Sequence, residues 1–352
     1  MASEQSIAAG KVVLLTGGSG FLGTAIVREI LLDSSPVQLR ELRVFDLTPM
    51  AAVKDGRVNF IQGDVRDKAA LMEACQDVDL VIHSAAIVDW GTRSGEEVLA
   101  VNVEGTLNII EACRAMKVKA LLYTSSLDVL YDGKPKVDVD ENTPYPARHA
   151  TSYCRSKYLA EKSVLEANEV ALSTCSLRPA DIYGEGDPYH IGSLIQMAGG
   201  GFYVRLGNGQ ARCQHVYVGN MAHAHLLASA ELLRGGGKVE GKAYLITDAP
   251  PSNFFSFFDP FVEAAGYRIW PKNLWLPRWF AHGLGAISEA VAFLLRPIKK
   301  YAPRMSRFAV TYTCTDYTFR SRKAEQDFAF TPRYSRQEAF ERTVQFFRKA
   351  DI

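Results

Sequence analysis

The sequence predicts an α/β fold in which a doubly wound parallel sheet carries helices on both faces and a smaller C-terminal lobe follows. The apolar run 11–15 precedes a glycine-rich turn and the helical segment 24–32, which is the order of elements in a βαβ unit. Short apolar segments typical of buried parallel strands then alternate with helical segments as far as residue 180. Beyond it the alternation loosens, so we expect one domain over 1–180 and a lobe over 181–352, with elements of the lobe returning to the main sheet.

The glycine-rich turn has the sequence TGGSGFLG over residues 16–23, with glycines at three regularly spaced positions. Gly17 permits a tight turn, Gly20 lets the backbone approach a pyrophosphate, and Gly23 lets the helix pack closely on the strand. The N–H groups at the start of the following helix offer a partial positive charge to phosphates. Because this turn lies between a strand and a helix, it predicts a Rossmann-like domain that binds a dinucleotide.

Asp46 ends the predicted second strand, 42–46, and lies 23 residues beyond Gly23. This is close to the spacing of a carboxylate that accepts hydrogen bonds from the adenosine ribose. A carboxylate at this position repels a 2′-phosphate, and Leu47 supplies no compensating cation. The sequence therefore favours NAD over NADP.

Asp64 follows the predicted third strand, 58–61, in the run Gly63-Asp64-Val65. Its side chain is expected near the adenine, and it is equally suited to cap the helix that begins near residue 68. Asn102, on a long predicted helix over 96–116, is expected to bridge the backbone of neighbouring strands.

Two further predicted strands end in short stretches of small or hydroxyl-bearing residues, SAA at 84–86 and TSS at 124–126. In open α/β sheets, ligands bind beyond the carboxyl ends of the strands. We therefore expect Ser126 to orient the reacting group, with Ser125 as the alternative if the strand end is one residue out of register. His83 ends the first of these strands and is expected to be packed and hydrogen-bonded rather than catalytic.

Tyr153 and Lys157 are four residues apart on the predicted helix 152–168, so both project from one face. A phenol has a reference pKa of about 10, and lowering it to about 7 takes roughly 4 kcal/mol of phenolate stabilisation. One ammonium about 4 Å away supplies on the order of 4 kcal/mol at an effective dielectric constant of about 20. Lys157 is therefore expected to activate Tyr153 and to bind ribose hydroxyls, while Tyr153 removes the proton from a substrate alcohol.

These motifs together resemble those of the extended short-chain dehydrogenase/reductase superfamily, and the resemblance covers most of the N-terminal two-thirds of the chain. Besides Asp46, the matching stretches are TGGSGFLG at 16–23, GDV at 63–65, SAA at 84–86, TSS at 124–126, YCRSK at 153–157 and LRPADIYGEGD at 177–187.

Within that superfamily the chain resembles the 3β-hydroxysteroid dehydrogenase branch, which includes sterol-4-carboxylate 3-dehydrogenases. The stretches that carry this likeness are ELRVFD at 41–46, YTSSLDV at 123–129, HVYVGNMAHAHLLA at 215–228 and FRSRKAEQDFAFTPRYSRQEAF at 319–340. The resemblance implies NAD-linked oxidation at the 3-hydroxyl of a steroid or sterol. Some members also isomerise a Δ5 to a Δ4 double bond, and no short motif here identifies the further acid–base residue that this reaction needs.

The predicted catalytic residues are Tyr153, Lys157 and Ser126, with Ser125 as the alternative to Ser126. The residues expected to contact NAD are Gly17, Gly20, Phe21, Leu22, Gly23, Asp46, Asp64, Val65, Ala85, Ala86, Tyr153, Lys157, Pro179 and Ile182.

The sequence bears differently on the other activities of the superfamily. Dehydratases carry an Asp-Glu pair directly after the active-site hydroxyl, whereas Ser126 is followed by Leu127-Asp128. A nucleotide-sugar epimerase needs cations for a sugar diphosphate, a role open to three residues of the lobe, namely Arg205, Arg212 and Lys242. The aromatic-rich stretch after residue 250 favours a flat apolar substrate instead, which keeps a reductase of long-chain β-keto acids as an alternative. A non-enzymatic cofactor sensor is disfavoured, because such proteins typically lose the tyrosine or the lysine.

Composition excludes several classes of function. The formal net charge of +1 gives no electrostatic case for nucleic-acid binding. The six cysteines are scattered without a C-x-x-C pair or a zinc-like spacing, so we expect reduced thiols and no metal site. The first ten residues contain no apolar stretch typical of a secretory signal, which together with the cysteines favours a cytoplasmic location. A homodimer is left open.

Residues 279–295 predict an amphipathic helix rather than a membrane span. An apolar stripe of Phe280, Leu284, Ile287, Val291 and Leu294 lies opposite a face that holds His282, Gly285, Glu289 and Ala292. Packing of the helix against the lobe is the favoured expectation. Peripheral contact with a membrane surface, assisted by Arg296, Lys299 and Lys300, is nearly as well supported.

Overall fold

The computed structural model of this chain describes residues 10–50, 53–89, 93–201, 203–295 and 306–348. Its strands are β1 Lys11–Thr16, β2 Leu39–Asp46, β3 Val58–Gln62, β4 Leu80–His83, β5 Ala120–Thr124, β6 Lys136–Val139, β7 Ser173–Pro179, β8 Asp181–Tyr183, β9 Arg205–Leu206, β10 His215–Tyr217, β11 Lys242–Ile246, β12 Trp275–Leu276 and β13 Tyr317–Phe319. Its α-helices are α1 Phe21–Ile30, α2 Lys68–Ala74, α3 Gly95–Leu99, α4 Gly105–Ala115, α5 Ser152–Glu166, α6 Ile191–Gly199, α7 Val218–Arg234, α8 Phe254–Ala264, α9 Arg278–Leu295, α10 Arg307–Thr313, α11 Arg322–Phe328 and α12 Arg336–Phe347.

A parallel sheet of seven strands, in the order β3-β2-β1-β4-β5-β7-β11, forms the centre of the described chain. The chain winds outward from β1 to β3 and then returns to place β4 on the other side of β1. The strand order therefore reverses between β1 and β4, where the carboxyl ends of the strands leave a crevice for a ligand. The prediction of a doubly wound α/β fold is confirmed.

Both faces of the sheet are covered by helices. Val13 and Leu15 of β1 pack in one fully buried cluster with residues of α1 and α7, whereas Leu14 packs with residues of α2, α4 and α5 on the other face. This double burial explains why the strands are continuously apolar in sequence rather than alternating. Two elements that follow residue 180 are part of this arrangement: β11 is a strand of the central sheet, and α7 covers one of its faces.

The long helix predicted over 96–116 is interrupted by a π-helical turn, Ala100–Glu104, which separates α3 from α4. Asn102 lies in this turn and holds the loop that follows β4. Its side chain accepts from the Ile87 N–H at 2.7 Å and donates to the Ser156 hydroxyl of α5 at 2.9 Å. The expectation that Asn102 bridges neighbouring strands is wrong. It joins the β4 loop to α5, because its amide bonds the backbone of Ile87 and the side chain of Ser156.

The aromatic residues of α8 form part of the core. Phe254, Phe255 and Phe258 of α8 are each less than 10% exposed, and Phe258 stacks on His190 at a ring-centroid distance of 5.5 Å. Their number in the sequence therefore reflects the packing of α8 against the lobe. It does not by itself indicate an apolar ligand site.

The apolar stripe of α9 faces outward. Ile287 is 63% and Leu294 71% exposed, whereas Ala281 is fully buried and the Glu289 carboxylate accepts hydrogen bonds from Arg307. Helix α9 packs against the lobe as expected, but it does so through its small and polar face, which contacts α10. Among the described helices, none combines the length and the apolar character needed to cross a bilayer.

A buried ion pair fastens α5 to β7. The Arg178 guanidinium lies 2.8 Å from Glu161 Oε1, and the two side chains are 4% and 0% exposed. The Tyr145 and Ser176 hydroxyls donate to the two oxygens of the same carboxylate at 2.7 and 2.9 Å. Burial works against the charge on Glu161, but Arg178 holds the pKa of Glu161 below its usual value. Each charge thus depends on its partner for compensation.

Replacing Glu161 with Ala is expected to lower the free energy of unfolding by roughly 3–5 kcal/mol, because it leaves the Arg178 guanidinium buried without its counter-ion. Urea unfolding followed by circular dichroism measures the loss. Glu166→Ala is the matched control on the same helix, where the carboxylate is 67% exposed and pairs with Lys162. Its effect should stay below about 1 kcal/mol. Equal losses in both variants would contradict a stabilising role for the buried pair.

Candidate active site

A cleft of about 600 Å³ crosses the carboxyl ends of β1, β4 and β5. Every residue that the sequence singles out for the cofactor or for catalysis lines this cleft. These residues are Gly17, Gly20, Phe21, Leu22, Gly23, Asp46, Asp64, Val65, Ala85, Ala86, Ser125, Ser126, Tyr153, Lys157, Pro179 and Ile182. The sequence signals, which lie far apart along the chain, therefore converge on one concave site.

The glycine turn forms a cradle that has no room for larger side chains. Gly17 has φ +74°, and a Cβ on it would lie 2.7 Å from the Cα of Ala85. A Cβ on Gly23 would collide with the carbonyl oxygen of Gly17. Gly20 caps α1 without a side chain, so the start of α1 stays open to an anion. The close approach of the β1 turn to the β4 loop thus requires glycine.

Asp46 holds the outer side of the glycine turn. Its carboxylate accepts from the backbone N–H of Ser19 at 3.1 Å and of Thr48 at 3.0 Å. Since a carboxylate has further lone pairs, Asp46 keeps acceptor capacity for a hydroxyl ligand in the cleft.

Asp64 pairs with Arg66, whose guanidinium holds the pKa of Asp64 below its usual value. The N-cap of α2 is Asp67, which accepts from the N–H groups of Ala69 and Ala70. The alternative role of Asp64 as a helix cap is therefore wrong, because the N-cap position of α2 lies three residues further along the chain.

His83 is fully buried and hydrogen-bonded to Thr16 and Thr106 at 2.7 and 3.0 Å. Burial lowers the pKa of His83 to about 3, so the ring is neutral. The expectation of a packed, hydrogen-bonded histidine is confirmed.

Tyr153, Ser126 and Lys157 lie together at the floor of the cleft. The Ser126 hydroxyl lies close enough to the Tyr153 phenol to lower its pKa, and both side chains line the cleft. The backbone N–H of Ser125 is bound to the carbonyl of Leu177 at 2.7 Å. Lys157 is 2% exposed, and its ammonium donates to the Thr124 carbonyl at 2.6 Å.

Burial dominates the electrostatics of this group. It raises the pKa of Tyr153 well above the usual value for a phenol, Asp128 adds to the rise, and the neighbouring Ser126 hydroxyl opposes it. Burial lowers the pKa of Lys157 to about 7, against the charges of Glu161 and Asp128. The expected lowering of the Tyr153 pKa is therefore not a property of these side chains alone, because the loss of hydration outweighs the attraction of one ammonium.

Asp128 is a functional candidate that the sequence reasoning used only as an argument against dehydration. One of its oxygens lies 3.1 Å from the Ser126 hydroxyl, and the side chain lines the cleft. Burial and then the charge of Asp181 raise the pKa of Asp128 to about 7. Its position two residues after Ser126 is the signal that identifies it. Glu161 is likewise detectable, four residues beyond Lys157 on the same helix face.

At the far end of the cleft, Asp181 belongs to the stretch 177–187 already quoted, whereas Tyr312, Phe308 and Tyr189 lie outside every quoted motif. Tyr312 of α10 donates to Asp181 at 2.6 Å, and Phe308 and Tyr189 complete the wall. Burial alone would lower the pKa of His190, but Asp187 and Asp181 raise it to about 9. Tyr312 and Asp181 are more than 100 positions apart in sequence. Their contact depends on the tertiary fold, which spacing does not reveal.

Asp181, Cys213 and His215 form a buried cluster behind this wall, with ligand atoms within 4.8 Å of one another. Cys213 contacts His215 Nε2 at 3.6 Å, whereas Asp181 faces Nδ1 at 3.9 Å. The two ring nitrogens point in different directions, so one ion cannot replace both contacts. The geometry favours a thiol–imidazole–carboxylate chain over a metal centre.

Comparison with known proteins agrees with these features. The model of the 3-beta hydroxysteroid dehydrogenase/isomerase family matches residues 14–278. The chain is 37% identical to mouse (Mus musculus) 3 beta-hydroxysteroid dehydrogenase type 7, over 95% of this chain and 95% of the mouse protein. It is 31% identical to 3beta-hydroxysteroid-dehydrogenase/decarboxylase isoform 1 of Arabidopsis thaliana, over 95% of this chain and 79% of that protein.

A solved structure of similar fold is MoeE5 in complex with UDP-glucuronic acid and NAD. The TM-score is 0.72 with 21% identity, and the match covers 96% of this chain and 99% of MoeE5. At this identity the likeness supports the shared fold.

Proposed function

The chain belongs to the 3-beta hydroxysteroid dehydrogenase/isomerase family and is an NAD-dependent dehydrogenase, and on that premise we propose that it oxidises the 3β-hydroxyl of a steroid or sterol. The observation that carries the proposal is the contact between the Tyr153 phenol and the Ser126 hydroxyl at the floor of the cleft. Two hydroxyls at one point are suited to bind the oxygen of a secondary alcohol and to take its proton.

The residues of the cleft fit NAD. Gly17 and Gly23 leave a cradle that a Cβ would fill, and the open start of α1 is suited to a pyrophosphate. We assign the adenosine ribose to Asp46, whose carboxylate repels a 2′-phosphate. Arg66 also lines this part of the cleft, but its charge is taken up by Asp64. The nicotinamide ribose is assigned to Lys157.

The chemistry of the proposed reaction is divided among three side chains. Tyr153 accepts the proton of the substrate hydroxyl, and Ser126 holds the substrate oxygen by a second hydrogen bond. Lys157 supplies the positive charge that favours the phenolate, and Glu161 and Asp128 support that charge. NAD, when bound, supplies the acceptor for the hydride and a further positive charge that favours the phenolate.

The location of the cations argues against the epimerase alternative. Arg205 pairs with Asp259 and Lys242 with Asp327, and neither these two nor Arg212 belongs to the residues described as lining the cleft. Arg93 and His190 also line the cleft, but Arg93 pairs with Glu97 and His190 lies beside Asp187 and Asp181. The wall beyond Tyr153 further carries aromatic rings and the carboxyl groups of Asp128 and Asp181. A doubly charged sugar diphosphate would lie against these acids, whereas an apolar alcohol would not.

Purified protein is expected to form NADH from NAD with a 3β-hydroxysteroid and not with a nucleotide sugar. Tyr153→Phe should lower kcat by about 10²–10⁴-fold while leaving NAD affinity near normal, because it removes the proton acceptor and little of the cofactor site. NADH absorbance and NAD titration measure the two effects.

Tyr158→Phe is the matched control for this experiment, since Tyr158 lies on the same helix and stacks on His149 away from the cleft. Undiminished turnover in Tyr153→Phe would overturn the assignment of the base. If the wild type forms no NADH with steroids but turns over long-chain β-keto acids, the same site would be assigned to that alternative substrate class.

Replacing Asp46 with Ala is expected to raise the Kd for NAD roughly 10- to 100-fold, since charge-assisted hydrogen bonds to the ribose are lost. The Kd for NADP should change far less, because the same substitution removes repulsion of the 2′-phosphate. Calorimetric titration measures both. Asp55→Ala, which breaks a surface pair with Arg57, serves as the control. An unchanged ratio of the two Kd values would contradict the ribose assignment.

We also propose that the exposed stripe of α9 rests on an anionic membrane surface. Ile287, Val291 and Leu294 are exposed side by side at helical spacing, and basic residues flank the helix in the sequence at 278, 296, 299 and 300. An apolar stripe edged by cations complements anionic lipid. Since α9 packs on α10, which supplies Phe308 and Tyr312 to the cleft, such contact would bring the cleft close to lipid-dissolved substrate.

The protein is expected to float with vesicles of phosphatidylcholine and phosphatidylserine, and less with phosphatidylcholine alone. The double variant Ile287→Glu/Leu294→Glu should remain in the soluble fraction, because two charges in the stripe oppose burial in lipid. Val170→Glu changes an exposed apolar residue in the turn after α5 and should still float. Equal flotation of the double variant and the wild type would exclude the α9 stripe as the contact.

A further inference from the structure

We propose that Asp128 is a positioning residue that determines, by holding or releasing one hydrogen, whether Ser126 donates a hydrogen bond to the substrate oxygen. The inference rests on the proposed function, because it takes the Ser126 hydroxyl to face the reacting oxygen. It extends that function by making the orientation of Ser126 depend on the carboxyl group two residues further along the chain.

The hydrogen bonds of Ser126 leave little freedom. Its Oγ accepts from the backbone N–H of Asp128 at 3.1 Å and donates to Asp128 Oδ2 at 3.1 Å, and it also contacts Tyr153. A serine hydroxyl has one hydrogen and two lone pairs. When the Asp128 carboxylate is ionised, it is a pure acceptor and takes that hydrogen. Ser126 then offers only a lone pair to Tyr153 or to the substrate.

Protonation of Asp128 reverses this arrangement. A carboxylic acid donates its own hydrogen to the Ser126 oxygen, so the serine hydrogen is free to point at the substrate. Negative charge develops on the substrate oxygen as its proton passes to Tyr153 and the hydride leaves the carbon, and a donor at that point stabilises it. The proton on Asp128 comes from solvent and returns to it, so the stoichiometry of the oxidation is unchanged.

Asp128 lies in surroundings that allow both protonation states near neutral pH. Burial and Asp181 of β8 raise its pKa to about 7, while the Ser126 hydrogen bond and the charges of His190 and Lys157 act in the opposite direction. Asp128 Oδ1 has no hydrogen-bond partner among the described residues. The other titratable groups whose charges interact with Asp128 are Tyr131, Tyr153 and Cys154, Tyr312 of α10 and Tyr317 of β13.

The sign of the pH effect follows from these states. Below the pKa of Asp128, the carboxylic acid leaves Ser126 as a donor to the substrate oxygen. Above it, the carboxylate withdraws that hydrogen, so the chemical step slows as pH rises. Asn in place of Asp128 keeps a donor N–H₂ beside Ser126 at every pH. Asp128→Asn is thus expected to imitate the protonated acid.

The first measurement needs no substrate. Fluorine NMR of protein labelled with 3-fluorotyrosine, with Tyr153→Phe identifying the signal, reports the hydrogen bond at the phenol as pH is varied. The wild-type signal is expected to shift as Asp128 titrates, and Asp128→Asn should abolish the shift. Ser126→Ala should leave only the smaller shift that the charge of Asp128 exerts directly on Tyr153. Asp132→Asn, a surface carboxylate paired with Lys136, should leave the wild-type shift unchanged. A shift of undiminished size in Ser126→Ala would overturn relay through the serine.

The second measurement is the pH profile of kcat for 3β-hydroxysteroid oxidation. The ratio of kcat in Asp128→Asn to that in the wild type should rise about tenfold per pH unit above neutrality. A constant ratio would overturn the proposal even when the steroid is a good substrate. Absence of steroid turnover in the wild type would instead refute the proposed function, and the NMR titration would still decide the role of Asp128.

Discussion

The loss of hydration around Lys157 is the physical constraint to which the other features of the site are adjusted. The Lys157 side chain is 2% exposed, so its ammonium loses most of its hydration. The Thr124 carbonyl, which accepts a hydrogen bond from it at 2.6 Å, and the charge of Glu161, one helical turn away, partly compensate for that loss. Glu161 is in turn compensated by Arg178 of β7. The catalytic helix is thereby held against the sheet by a chain of charges, each of which depends on the next.

The same loss of hydration explains where electrostatic reasoning from sequence goes wrong. At an effective dielectric constant of about 20, one ammonium near Tyr153 supplies on the order of 4 kcal/mol, enough by itself to lower a phenol pKa by about three units. That arithmetic treats the phenol as hydrated. In the structure Tyr153 is 8% exposed, and burial disfavours its phenolate form. Burial is the largest influence on the pKa of Tyr153, which is therefore raised rather than lowered. The positive ring of the cofactor is therefore part of the activation rather than an addition to it.

Local spacing predicts those parts of the site whose residues are close together in the sequence. The glycine turn, Asp46 and the Tyr153–Lys157 pair are each set by contiguous sequence or by one helical turn, and the fold brings all of them to one cleft. Spacing does not predict Tyr312 or Asp181, whose contact joins distant segments. Nor does it show which face of α9 is buried, because an amphipathic pattern distinguishes two faces without showing what covers them. Asp64 illustrates a third limit, since α2 begins where the sequence predicts it and yet Asp67, rather than Asp64, is its N-cap.

The acidic and aromatic wall beyond Tyr153 connects substrate choice to the outer surface of the molecule. Asp128 and Asp181 disfavour an anionic substrate at the reacting end, and Phe308 and Tyr312 favour an apolar one. The helix that carries these two rings, α10, is the one on which α9 packs through its small and polar face. That packing accounts for the outward turn of Ile287 and Leu294, since a helix whose polar side is satisfied by a neighbour has only its apolar side left for the surface. On the proposed function, selection of an apolar alcohol and exposure of an apolar helix are thus two consequences of one arrangement of α9 and α10.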